Sequence, residues 1–343
     1  MKSFLSMKIL YKPNQYSQQR QHEKKRWIYP IRLAMEATYY KNQGHYVKFD
    51  SNTPYENKYD RVIVEPEGLP FLDLPCADRI FTKAFDEKYQ NNGNFLYTPA
   101  TYILSASGCW HGKCTFCIEK GKKYEVRDVD DVINEIDSLN RLGFKEVFDD
   151  SATFPDGKWL TEFCIKKINH NSISNFPISC NMRIGANVDF KLMKRAGFRM
   201  LLFGVESANQ ETLDKIKKGI KYEQVTETLK QAKEAGLATH IAVMYGYPWE
   251  ENQDSKETLK FVHYLLRKGY ATTAQASFFT AEGYKQNKEG KQYIKRIYDV
   301  AFKPFTYETL NFWYNRLRGI KSISDIKYLY KQIRAGMKER FYV

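Results

Sequence analysis

From Tyr97 onward the chain alternates short apolar runs with amphipathic ones, and that rhythm restricts its possible folds more than any other feature. Thr101–Ser105, Lys145–Phe148, Ile178–Arg183, Arg199–Phe203, His240–Tyr245 and Thr273–Phe278 have the length and the β-branched or aromatic content of strands. Helical spacing fills the intervals. One helix begins near Asp128, with Val132, Ile133, Ile136 and Leu139 on one face; others cover Trp159–Ile168 and Phe190–Ala196. Two further stretches end at Gly236, and a last one runs over Lys256–Arg267. Strands separated by helices argue for parallel β/α units, and strands this apolar suit a sheet buried on both faces. Six such units fall short of a closed eight-fold barrel. The expectation for residues 96–285 is an α/β partial (β/α)6 TIM-like barrel, with ligands at the C-terminal ends of its strands.

Two flanks complete the layout. Residues 1–95 read as strand (Lys8–Tyr11), helix (Ile31–Asn42, stopped by Gly44), strand (Tyr46–Phe49) and strand (Arg61–Glu65). That is a truncated, Rossmann-like βαβ segment, about half of a nucleotide-binding layout. A polar, turn-rich stretch from Lys83 to Asn94 reads as the linker into the barrel. Residues 286–343 read as a helical extension in which basic residues alternate with Tyr298, Phe302, Phe305, Phe312, Trp313, Tyr314, Arg316 and Arg318. The net charge of the 343-residue chain is +14, and from Lys285 onward fourteen lysines and arginines face five acidic residues. Such a tail could hold RNA or another anionic partner, and it reads at least as well as the solvated face of a helical cap. No apolar run is long enough to span a bilayer, and the N-terminus lacks the apolar core of a secretory signal, so cytoplasmic residence is expected.

Chemistry concentrates in one loop. Cys109, Cys114 and Cys117 fall within nine residues after the first barrel strand, on a loop opened by Gly108. The remaining cysteines, 76, 164 and 180, are scattered singly in apolar surroundings, as small buried hydrophobes usually are. Disulfides are therefore disfavoured. Two readings stay open from the loop alone: a zinc knuckle with His111 as fourth ligand, or an iron–sulfur cluster held by three thiolates with one iron free. The loop's place at the barrel mouth favours a catalytic cluster. Other strand ends put polar groups on the same rim: Asp149 and Asp150, Asn181 and Arg183, Glu206 and Ser207, and the turn Gly246–Glu251. One such residue alone is an ordinary helix cap; four strand ends together are not.

Over residues 97–280 the chain resembles the radical S-adenosylmethionine superfamily. The marks are the cysteine loop with Phe116 before its last cysteine, the segment Gly204-Val-Glu-Ser-Ala-Asn through Gly219, and the turn Gly246-Tyr-Pro-Trp-Glu. One departure is visible: the family's usual spacing is Cys-x3-Cys-x2-Cys, and here four residues separate Cys109 from Cys114. His111 is expected to fill or shape the extra space without being a ligand.

The resemblance implies that Cys109, Cys114 and Cys117 hold a [4Fe-4S] cluster whose free iron chelates S-adenosylmethionine. Reduction would cleave the cofactor to a 5′-deoxyadenosyl radical, which abstracts hydrogen from a peptide, RNA or small-metabolite substrate. Phe116 would lie near the adenine, Glu206 and Ser207 would meet the cofactor, and Lys218 would take its carboxylate. Gly246 and Pro248 would admit the adenine, and Asp150 and Arg183 would serve the cofactor amino group or the substrate. A low-potential electron donor of flavodoxin or ferredoxin type is the implied partner. The N-terminal segment resembles the cobalamin-binding branch, which methylates unactivated carbons. No second set of strands and no Gly-rich loop follows Glu65, so a vestigial domain acting as a lid is expected, without bound cobalamin. A cobalamin-dependent C-methyltransferase is the alternative within the superfamily; a zinc-stabilised RNA-binding protein is the alternative outside it.

Overall fold

In the computed structural model the six strands of the rhythm lie side by side in one parallel sheet. The structure describes residues 6–13, 28–51, 59–90, 94–281, 283–284, 287–297, 299, 307–318, 320, 322–323, 325–327, 329–330 and 333. Tyr298, Phe302 and Phe305, and much of the C-terminal extension, lie outside them.

The N-terminal sheet has strands β1 (Lys8–Tyr11), β2 (Tyr46–Phe49) and β3 (Arg61–Ile63), parallel and in the order β2-β1-β3. Helix α1 (Ile31–Asn42) crosses from β1 to β2. β3 ends two residues earlier than the apolar run suggests, just ahead of Glu65-Pro66, where proline supplies no ladder N–H. The expected linker is a packed connection that includes one helical turn, α2 (Glu87–Gln90), and buries Ala84 and Tyr89. The Gln90 side chain holds the barrel's first strand by accepting from Ala100 N (2.6 Å) and donating to Ala100 O (2.9 Å).

The barrel follows in chain order. Strand β4 (Ala100–Ile103) leads into a short antiparallel pair, β5 (Ala106–Ser107) with β6 (Glu125–Val126), and then into α3 (Val129–Arg141). Next come β7 (Glu146–Asp149), α4 (Gly157–Asn169), β8 (Ile178–Met182), α5 (Phe190–Arg195) and β9 (Phe198–Glu206). Helices α6 (Gln210–Lys215) and α7 (Tyr222–Glu234) precede β10 (Ala238–Tyr245), α8 (Asn252–Lys268) and β11 (Thr273–Phe278). Spatial order is sequence order, β4-β7-β8-β9-β10-β11, so the sheet is a singly wound half-barrel open between its first and last strands. β4 and β7 are buried at every residue, as a sheet covered on both faces requires. Beyond it, α9 (Lys291–Arg296) packs on β10 and β11, and α10 (Tyr307–Arg318) packs on α8. One hydrophobic core runs through both sheets, from Ile9 to Ile297.

β9 departs from the sequence expectation. It continues past Phe203 to Glu206, with a bulge: Ala242 pairs with Gly204 while Val243 pairs with Glu206. An extra residue in one strand turns the side chains beyond it to a new direction. Glu206 closes the strand at φ +67°, a left-handed conformation that costs a non-glycine residue about 1–2 kcal/mol.

Candidate active site

The cysteine loop is an excursion pinched at its base. β5 pairs with β6, and Arg127 N donates to Ser105 O at 2.9 Å. Asp149, at the end of β7, holds the same neck by accepting from Ser105 N (2.9 Å), the Ser105 hydroxyl and Ser151 N (3.0 Å). Gly108 is obligatory: at φ +76°, a Cβ there would stand 2.2 Å from the Lys123 carbonyl oxygen.

All three loop cysteines are free thiols and half-buried. Cys109 Sγ lies 3.2 Å from the Thr153 hydroxyl, and Glu119 N donates to Cys117 Sγ at 3.4 Å. Cys114 faces Arg183 and Lys218; burial pushes its thiol up, and those two cations oppose the push. A cluster ligand must be a thiolate, so the flanking cations, the hydroxyl and the N–H donor are suited to the charge it would carry. Among the described residues no three His, Cys, Asp or Glu side chains converge closely enough to hold a single metal ion. His111 is engaged elsewhere: its Nε2 donates to Lys217 O at 2.8 Å. This geometry does not support the mononuclear Cys3His zinc site. A cubane cluster, whose cysteines bind different irons, needs no common point.

Beside the cysteines lies a buried ion pair, Lys218 Nζ to Glu206 Oε1 at 2.7 Å. The β9 bulge and Gly204 make it: a Cβ at 204 would lie 2.4 Å from Glu206 Oε1 and 2.7 Å from Lys218 Nζ. Arg183, also buried, donates to Lys218 O and lies 5.3 Å over the Trp110 ring. Its guanidinium is pushed down by burial and supported by the nearby Cys114 and Cys109. Phe116 meets Phe279 edge-on at 6.4 Å.

Two expected residues are held by the protein itself. Ser207 is fully buried; its hydroxyl donates to Glu250 Oε1 (3.0 Å), accepts from Asn209 N (3.1 Å) and lies 3.3 Å from Thr258 Oγ1. Gly246 owes its glycine to packing: at φ +88°, a Cβ would stand 2.3 Å from the Phe278 ring. Pro248 is exposed on the same turn. Asp150 is exposed too, yet protein surrounds it. Desolvation, then the neighbouring Asp149, pushes its carboxyl up to about 7, and its solvent contact screens part of that push.

Sequence reasoning missed Tyr247, Thr153 and Glu250. Tyr247 is fully buried, its hydroxyl has no partner, and it lies within electrostatic reach of Glu206, Glu250 and Cys114. Thr115 Oγ1, next to Cys114, is likewise buried and unpartnered. Two orphaned hydroxyls, one on the residue after Cys114 and one within electrostatic reach of it, leave room for a further polar group. The residues therefore fit a cluster with a polar cofactor beside it. Tyr247 carries a weak signal in the sequence, as the variable residue inside the Gly246-Tyr-Pro248 turn.

The model of the Radical SAM superfamily matches residues 103–262. An uncharacterized methyltransferase of Pyrococcus horikoshii is 28% identical over 225 residues, covering 64% of this chain and 46% of that protein. The anaerobic magnesium-protoporphyrin IX monomethyl ester cyclase of a Synechocystis species is 26% identical over 213 residues, covering 60% of this chain and 42% of that protein. The chain thus spans about half the length of the curated relatives it matches. Among solved structures, the radical S-adenosylmethionine methyltransferase TsrM of Kitasatospora setae overlays with a TM-score of 0.48 at 18% identity, covering 59% of this chain and 38% of that one. The matched segment runs from the end of β4 into α8 and encloses the cysteine loop, so in residues 103–262 the chain is similar to the radical SAM superfamily.

Proposed function

We propose that the chain is a radical SAM enzyme acting through Cys109, Cys114 and Cys117, and that it abstracts hydrogen from its substrate. A bound, reduced [4Fe-4S] cluster supplies the electron that cleaves S-adenosylmethionine. The observation that carries the reading is three free thiols on one pinched loop, beside the buried Lys218–Glu206 pair. In this reading Lys218 binds the cofactor carboxylate, Glu206 orients its amino group or ribose, and the Tyr247 hydroxyl takes its missing partner from the same ligand. Phe116 provides an apolar face, and Asp150 and Arg183 line the approach for substrate. Thr153 and the Glu119 N–H fix the outer two cysteine sulfurs. The electron comes from a low-potential carrier protein; exposed Ile118 beside Cys117, with exposed Lys113, Lys120, Lys122 and Lys123 nearby in the sequence, suits an acidic one. No described helix is long and apolar enough to cross a membrane; oxygen-sensitive thiolates suit the reducing cytoplasm.

Purified anaerobic protein should contain close to four irons and four sulfides per chain, with an absorbance shoulder that dithionite bleaches. A single zinc in colourless protein would sink the proposal. The second reading, cobalamin-assisted methyl transfer, is favoured by the match to a methyltransferase and by the parallel β2-β1-β3 sheet. Corrinoid absorbance after cobalamin supplementation separates the two: stoichiometric corrinoid supports methyl transfer, and none supports a vestigial lid.

A further inference from the structure

Three successive carbonyls after α6 are used by residues of the cysteine site. Ile216 O accepts from Thr115 N at 3.0 Å, Lys217 O from His111 Nε2 at 2.8 Å, and Lys218 O from Arg183. Carbonyls at the end of a helix are without intrahelical partners, so they are ready acceptors. The turn is bent to present them: Lys217 holds φ +53° and Gly219 φ +65°. A Cβ at Gly219 would stand 2.8 Å from His111 Cε1, so the imidazole lies directly against the glycine backbone. Trp110 and His111 meet edge-on at 6.3 Å, and the Arg183 guanidinium lies over the Trp110 ring.

We propose that His111 is a positioning residue that clasps the cysteine loop to the 216–219 turn, so that the three thiolates and the Lys218–Glu206 pair are held as one unit. It is one of the four residues where the family has three between the first two cysteines, and the clasp gives the longer loop a fixed seat. A carbonyl can only accept, so Nε2 carries the proton and is closed to metal. The bond joins residues 106 apart in sequence, tying the cysteine loop to the α6–α7 connection. Without it, Thr115 N→Ile216 O and Arg183 remain as the described ties between the two segments, and the distance from Cys114 to Lys218 is less tightly held.

The proposal rests on the cluster reading and is tested separately from it. His111→Gln and His111→Leu both fill the space over Gly219, but only glutamine keeps a donor. After anaerobic reconstitution, iron and sulfide content reports the cluster in each protein. The EPR spectrum of the dithionite-reduced cluster, with and without S-adenosylmethionine, and the cofactor's Kd from equilibrium dialysis report the positioning. Glutamine should keep the wild-type spectrum and a Kd within about threefold of wild type. Leucine should keep iron near wild type, weaken binding about fivefold to tenfold, as loss of one hydrogen bond of 1–1.4 kcal/mol gives, and broaden the cofactor-induced spectrum. A leucine variant matching wild type in both readouts, or a glutamine variant as impaired as leucine, overturns the clasp. Wild-type protein without iron would instead overturn the cluster reading.

Discussion

Single residues around the site combine stability and function in opposite senses. The Tyr247 hydroxyl is buried without a partner, which costs the ligand-free fold about 1–3 kcal/mol. Tyr247→Phe should therefore keep or raise the melting temperature of the cofactor-free protein, while weakening S-adenosylmethionine binding several-fold in dialysis. A phenylalanine variant that is both less stable and unchanged in binding would contradict the assignment. Glu250 gives a pH-dependent case. Burial moves its carboxyl from the ordinary 4.5 up to about 7, despite hydrogen bonds with Thr212 and Ser207 that lower it. A carboxyl with a raised folded pKa contributes stability fully present below pH 4.5 and lost as pH rises through about 7. Glu250→Gln should remove that slope. Urea unfolding at pH 5 and pH 8 should show the variant gaining on wild type at the higher pH, by up to about 3 kcal/mol.

At the scale of elements, the reading from sequence was good where the signal is local. β1, α1 and β2 lie where the apolar spacing puts them, and all six barrel strands form in order, because period and burial act on neighbouring residues. The cysteine loop and its place after the first strand were legible for the same reason, whereas Lys218 was singled out only through the resemblance of residues 204–219 to a known family. What was not legible depends on contacts across space. The β9 bulge that pairs Glu206 with Lys218 is set by register against β10; its only local sign is Gly204 inside a strand. Gly246 reads as an opening for a ligand, yet the Phe278 ring from β11 occupies the space its Cβ would need. The β5–β6 neck is two residues per strand, too short for periodicity to reveal. Gly108→Ala tests that neck. The clash with the Lys123 carbonyl should cut reconstituted iron to under half of wild type, with Gly121→Ala as comparison, because Gly121 shares the strained φ (+73°) but a Cβ there meets nothing within 4 Å. Equal iron in both would show that the neck does not organise the loop.

Across the whole molecule, the N-terminal region and the barrel share a core and a buried charge triad. Glu135 on α3 accepts from Arg79 (2.7 Å), in the connection ahead of β4, and from Arg127 (2.5 Å), which ends the cysteine excursion. Burial alone would raise the Glu135 carboxyl, and the two guanidiniums outweigh it, leaving it lowered. Removing the central acid strands two buried cations, so Glu135→Ala should cost about 3–5 kcal/mol and expose the 60–90 segment to limited proteolysis. The triad joins the region that would cover the mouth to the loop that would carry the cluster. The central claim is that this loop drives cleavage of S-adenosylmethionine, and its most direct test is anaerobic incubation of reconstituted protein with S-adenosylmethionine and dithionite, quantifying 5′-deoxyadenosine. Wild type should form it and Cys114→Ala should not; iron-loaded wild-type protein that forms none would contradict the account.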